Sequence, residues 1–222
     1  MVYWLTLLSD GGDFFNLFRY ITVRAGGAFL TSLLFGFVFG KPLINLLRRR
    51  QGRGQPIRSD GPEGHQSKAG TPTMGGALIL GALVVSTLLW ARLDNMHIWV
   101  VLFVTIGFGA IGFADDYAKV SKQTSAGVSG RVRLGLGFVI ALIAALVAAQ
   151  LHPEGLRLQV AVPVLKDTLV PFGILFFPFA MIVIVGTANA VNLTDGLDGL
   201  AVMPVMIAAA ALGVLAYAVG RV

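Results

Sequence analysis

Ile98-Trp-Val-Val-Leu-Phe-Val-Thr-Ile-Gly-Phe-Gly-Ala-Ile-Gly-Phe-Ala114 carries no charge in 17 residues and runs straight into Asp115-Asp116-Tyr-Ala-Lys119. A helical membrane span needs about 20 apolar residues, somewhat fewer or more with tilt. The stretch therefore reads as a transmembrane helix, and Asp115 and Asp116 mark the point where it meets water. Dragging an aspartate to the centre of a bilayer costs about 2.5–3.5 kcal/mol on insertion scales. Adjacent carboxylates also repel each other. A divalent cation relieves that repulsion, and magnesium suits such a place: it takes one or two carboxylates and accepts substrate phosphates as further ligands. A charged helix end with no further role is the bland alternative for this pair taken alone.

Working outward, five more apolar stretches have membrane length. The six spans expected are 25–47, 73–91, 98–114, 134–151, 171–190 and 199–220. They predict an all-α fold, a polytopic bundle of about six transmembrane helices forming a single transmembrane domain over 1–222. Composition agrees, with 56% hydrophobic residues, 13% charged residues and a mean hydropathy of +0.80. Lys41 is the one interruption of the first span, and it lies near an end where it can snorkel. Pro178 and Pro204 lie inside the last two spans, where membrane helices tolerate them. Gly36 and Gly40 fit the small-xxx-small packing pattern, read as a helix contact. That pattern leaves a homodimer or a complex with another membrane protein open. Met1–Leu8 is apolar but short, and acidic residues follow it, so no cleavable leader is expected.

Charge sets the expected orientation. The segment 41–73, from the end of span one to the start of span two, holds Lys41, Arg48, Arg49, Arg50, Arg53, Arg58 and Lys68, and Lys119, Lys122, Arg131 and Arg133 lie between three and four. Alternating spans put both groups on one side, which by the positive-inside rule faces the cytoplasm. The N-terminus and the loop 152–170 then lie outside. Trp90 and Trp99 flank a short outer link, as an interfacial aromatic belt would. The net charge of +6 follows from this bias, so nucleic acid is not an expected partner. With no cysteine, disulfides and thiolate metal sites are excluded, and three scattered histidines give no zinc spacing.

The three polar stretches with unusual composition, 60–76, 114–133 and 189–198, all fall on the cytoplasmic side, where the expected loops are about 48–72, 115–133 and 191–198. The first is Asp60-Gly-Pro-Glu-Gly-His-Gln-Ser-Lys-Ala-Gly-Thr-Pro-Thr-Met-Gly-Gly76. Its glycines permit close backbone approach, Lys68 is a point charge suited to phosphate, and Thr71 and Thr73 carry hydroxyls. The spacing is not a P-loop, and an ordinary loop remains the bland reading, for His65 as well. The last is Asn189-Ala-Val-Asn-Leu-Thr-Asp-Gly-Leu-Asp-Gly-Leu200. Asn189, Asn192, Asp195 and Asp198 recur every third residue and share one face of a helix or tight turn. Such amides and carboxylates can read a base edge or ribose hydroxyls, or hold a metal.

Together these stretches closely resemble the polyprenyl-phosphate N-acetylhexosamine-1-phosphate transferases. The residues that carry the likeness are Asp60-Gly-Pro-Glu63, His65, Lys68-Ala-Gly-Thr-Pro-Thr-Met-Gly-Gly76, Asp115-Asp116-Tyr-Ala-Lys119 and Asn189 through Gly199. The Lys68–Gly76 run points to the branch that uses UDP-N-acetylmuramoyl-pentapeptide. The resemblance implies transfer of the phosphosugar to undecaprenyl phosphate with magnesium, at the cytoplasmic face of a bacterial inner membrane. It implies Asp115, Asp116 and Asp195 as catalytic residues and Lys68, Thr73, Lys119, Asn189, Asn192 and Asp198 as substrate contacts. Asp116 and Asp195 are the implied magnesium ligands. Gln123 and Ala126 stand where the family leads one to expect lysine. Family members run to roughly ten spans, so this chain is expected to be an N-terminal portion, inactive alone. The rivals are a sister transferase using UDP-N-acetylglucosamine and, from another class, a transporter. A transporter calls for acids near mid-span, whereas the cytoplasmic-side acids here lie at or beyond span ends.

Overall fold

The computed structural model describes residues 1–52, 72–124, 127–162, 165, 168–194 and 200–220. Among these described residues six α-helices carry the fold: α1 (Ile21–Gln51), α2 (Gly76–Trp90), α3 (Met96–Lys122), α4 (Gly130–Leu151), α5 (Phe176–Thr194) and α6 (Val202–Val219). Five stretches are long and apolar enough to cross a membrane, and α2 is a shorter apolar helix. The molecule is a polytopic helical membrane protein. It divides into two compact units, Met1–Leu151 and His152–Val222.

In the first unit, two 3-10 stretches, Val2–Leu8 and Phe14–Arg19, lead into α1. α1 packs on α2, α2 on α3 and α3 on α4. Lipid supplies no hydrophobic drive between helices, so close backbone approach must do the work, and small residues permit it. Buried positions on α4 are Gly137, Ala141, Ala144, Ala145 and Ala149, a stripe of small side chains. Gly107 on α3 lies against Ile140 and Gly109 against Leu80, each too close to admit a Cβ. Gly40 faces Leu78, while Gly36 opens onto empty space, so only half of the small-xxx-small pair makes a contact. The large side chains face outward: Phe37 is 73% exposed and every residue of α6 lacks burial. A soluble protein rarely shows such a surface, whereas lipid covers it at no cost.

Helix limits depart from those drawn on hydropathy. α1 runs on to Gln51 and closes at Gly52, whose φ of 58° is left-handed. Arg48, Arg49 and Arg50 fill its last turn, where cations complement the helix dipole. α2 begins at Gly76, three residues after Thr73, and at 15 residues is only about 22 Å long. α3 starts behind an N-cap, with Asn95 Oδ1 accepting from the His97 amide at 3.0 Å. It does not stop at Ala114. It continues to Lys122, so Asp115 and Asp116 are helical and the segment 115–122 is not loop. Gln123 ends it in the left-handed region at φ 49°, with its side-chain amide donating to the Val120 carbonyl at 2.8 Å. Trp90 serves helix packing, donating from Nε1 to Thr31 Oγ1 at 2.9 Å with its ring on Gly27. Trp99 donates to the Leu93 carbonyl in the link.

The second unit opens with a two-stranded antiparallel hairpin, β1 (Gln159–Ala161) and β2 (Leu169–Pro171), in register Val160 to Val170. The sequence reading has plain loop here and a span from residue 171. Strand pairing occupies that ground instead, and the helix begins at Phe176.

Candidate active site

Asp115 and Asp116 follow each other on α3, so they leave the helix about 100° apart. Lys119 lies one turn on, where the i,i+3 and i,i+4 positions meet. Its Nζ is 2.7 Å from Asp115 Oδ2 and 3.6 Å from Asp116 Oδ1, so one ammonium serves both carboxylates. This sharing explains how α3 carries two adjacent acids without breaking.

The two acids nevertheless sit in different surroundings. Asp115 is buried, with 6% of its surface exposed. Its Oδ1 accepts the Val128 amide at 2.8 Å, and its Oδ2 faces Lys119 and, at 3.9 Å, Arg133 of α4. Burying a carboxylate is tolerable when both oxygens are matched this way. Asp116 is more open, with 31% of its side chain exposed. Its Oδ2 accepts the Thr73 hydroxyl at 2.8 Å across 43 residues of sequence.

Thr73 is itself held. The Gln51 side chain forms a two-point amide pair with its backbone, Nε2 donating to the Thr73 carbonyl at 3.0 Å and Oε1 accepting the Thr73 amide at 2.9 Å. Gln51 is a buried polar residue at the last position of α1, and the pair gives both its amide nitrogen and its amide oxygen a partner. Next to Thr73, Met74 has φ 72°, unusual for a side chain of that size and worth about 1–3 kcal/mol of strain. The chain thereby turns sharply into α2, leaving Thr73 to face α3.

The first unit thus brings together four of the residues expected from sequence: Thr73, Asp115, Asp116 and Lys119. Lys119 is committed to the carboxylates here, where the sequence reading gives it a phosphate. The second unit holds Asn189 and Asn192 on α5, three residues apart on one face. Asn189 donates back to the Val185 carbonyl at 2.8 Å and is half-buried, while Asn192 is exposed. Lys68, Asp195, Asp198, His65 and Ala126 lie outside the described residues. Among the described residues no group of three or more acids, histidines or cysteines clusters to hold a metal. Asp116 remains a fitting magnesium ligand, since that ion takes as few as one or two carboxylates and fills its shell with water and phosphate.

Sequence reasoning missed Val128 and Arg133 as partners of Asp115, and Gln51 as the residue that holds Thr73. Gln51 gives no signal beyond following an arginine run. Gly127, beside Val128, is the one hint that a backbone comes close.

Comparison with known proteins adds three findings. Residues 98–222 match the family model described as Glycosyl transferase family 4. Residues 68–80, which include Thr73, match phospho-N-acetylmuramoyl-pentapeptide-transferase signature 1. Among curated relatives bearing that enzyme's name, the chain is 73% identical to one from Ruegeria sp. (strain TM1040) and 72% identical to one from Ruegeria pomeroyi. Both alignments cover 100% of this chain and 62% of the relative. A Maricaulis maris relative is 59% identical over 97% of this chain and 60% of its own length. The chain therefore spans a little under two thirds of these relatives.

Proposed function

The chain belongs to glycosyl transferase family 4, and on that premise we propose that it forms part of a phospho-N-acetylmuramoyl-pentapeptide transferase. The reaction passes the phosphosugar of UDP-N-acetylmuramoyl-pentapeptide to undecaprenyl phosphate. A lipid phosphate oxygen attacks the β-phosphorus, the bond between that phosphorus and the α-phosphate oxygen breaks, and UMP leaves with the electron pair. The products are lipid I and UMP. The observation that carries this reading is the hydrogen bond from Thr73, inside the matched signature, to Asp116 of the carboxylate pair.

Both substrates are anions, so the work is positioning and charge neutralisation. Magnesium, when bound, would neutralise phosphate charge, with Asp116 the described residue to hold it and Asp195 the second candidate. Thr73 keeps Asp116 in one orientation by donating to one oxygen. Lys119 spans both acids and is free to turn toward a phosphate once either acid takes another partner. Asp115, enclosed by Val128, Lys119 and Arg133, acts as an orienting group. A phosphomonoester with second pKa about 6 is already largely deprotonated near neutrality, so a strong base is not needed. Lys68 is assigned to phosphate, and Asn189, Asn192 and Asp198 to the nucleotide end. The arginines that close α1 favour, by the positive-inside rule, a cytoplasmic position for this face of the first unit, and the proposed reaction would place the chain in a bacterial inner membrane.

The test is UMP release in detergent with phospholipid, using UDP-N-acetylmuramoyl-pentapeptide, undecaprenyl phosphate and magnesium. Two proteins are assayed: this chain, and a chimera in which it replaces the matched stretch of a curated relative. Magnesium-dependent release by the chimera is expected, with little or none from the chain alone. No release by a folded chimera overturns the reading. Preference for UDP-N-acetylglucosamine in a donor competition would move the protein to the sister activity.

A further inference from the structure

Asp115 is enclosed by more than its ion pairs. The chain returns from α3 toward α4 so that Gly127 passes directly over the carboxylate. A Cβ built on Gly127 would overlap Asp115 Oδ1, lie 2.7 Å from Asp115 Cγ and lie 2.9 Å from Lys119 Cε. Real Cβ atoms do not come so close. The next residue, Val128, donates its amide to that same Oδ1 at 2.8 Å.

Glycine is required in proteins for two separate reasons, backbone conformation and space. Conformation does not demand it at this position: the described glycines with positive φ are Gly11, Gly52 and Gly173. Space does. The atoms a side chain would strike are the reactive end of Asp115 and the last carbon before the Lys119 ammonium. Neither can retreat at small cost. Asp115 is buried, and its other oxygen is held by Lys119 with Arg133 behind it. Lys119 is also tied to Asp116.

We infer that Gly127 is a positioning residue for the transfer chemistry. By lacking a side chain it lets the Val128 amide seat Asp115 and, through Asp115, fixes the Lys119 ammonium between the two acids. This rests on the transfer reaction proposed above. Displacing an oriented group by about 1 Å costs on the order of 10²-fold in rate. Gly127→Ala is therefore expected to lower kcat about 100-fold in the chimera, with KM for the nucleotide sugar changed less than about threefold. Gly130, the first residue of α4, gives a matched control, because a Cβ there meets nothing within 4 Å. Gly130→Ala should leave kcat and KM near those of the parent.

Amide hydrogen exchange supplies a second measurement that does not depend on how Gly127→Ala folds. In the unsubstituted chain the Val128 amide should exchange slowly, and Asp115→Ala should release it. An inactive parent chimera withdraws the transfer reading and this role with it. An active parent in which Gly127→Ala behaves like Gly130→Ala overturns the positioning role alone. So does a Val128 amide that exchanges as fast in the parent as in Asp115→Ala.

Discussion

Replacing Lys119 by methionine keeps the length of the stem and removes the ammonium that serves both acids. At an effective dielectric near 20, an attraction across 2.7 Å comes to about 6 kcal/mol before desolvation is subtracted. Removing one member of a buried pair typically destabilises by about 3–5 kcal/mol, because the other charge is left behind. Asp115 keeps the Val128 amide and Arg133 at 3.9 Å, so the lower end applies, about 3 kcal/mol. For a chain of this size each kcal/mol moves the melting temperature by roughly 2–4 °C. Lys119→Met should therefore melt about 6–12 °C below the parent in detergent, followed by circular dichroism or tryptophan fluorescence. Lys122→Met removes an exposed lysine from the same last turn and should shift the melt by less than about 2 °C. Equal melting of Lys119→Met and Lys122→Met would refute the idea that the shared ammonium holds the acids in the helix.

Three further outcomes are expected. Asp116→Asn in the chimera should cut UMP release by at least about 10²-fold, since it weakens the carboxylate assigned to charge neutralisation, while melting within a few degrees of the parent. Gln51→Leu strands the Thr73 amide and carbonyl together, and should cost about 1–3 kcal/mol in a melt and speed exchange of the Thr73 amide. The third concerns acid. Donation from Arg92 holds the exposed Asp94 carboxyl below the usual carboxylate range. A depressed folded-state value stabilises fully above the unfolded value near 3.9 and is lost as pH falls through the folded one. Any melting difference between the parent and Asp94→Asn should thus be present at pH 5–7, fade below about pH 4 and shrink with added salt.

The apolar spans are legible because charge is so sparse within them, and α4 and α6 need little more than that. The end of α3 is not, because hydropathy treats Asp115 and Asp116 as the start of water. The helix goes on for two turns because Lys119 neutralises both acids at i+3 and i+4, a relation of side chains that a hydropathy profile omits. The hairpin escapes notice for a different reason: three-residue strands are too short to show alternation, and Val160 and Val170 read like any apolar loop. At the site, placing Thr73 and Asp116 on one side of the membrane follows from counting spans. Their hydrogen bond depends on Met74 turning the chain and on Gln51 holding it. Neither residue type is diagnostic in sequence.

Among the described residues the charges of this cluster balance: Asp115 and Asp116 stand against Lys119 and Arg133. At the border of hydrocarbon that neutrality matters, because an isolated surplus charge there is poorly solvated. The site rests in the form of an internal salt, in which Lys119 supplies the positive charge that both carboxylates need. Under the proposed reaction Asp116 would hold magnesium, and that ion would supply the neutralising charge which Lys119 provides at rest.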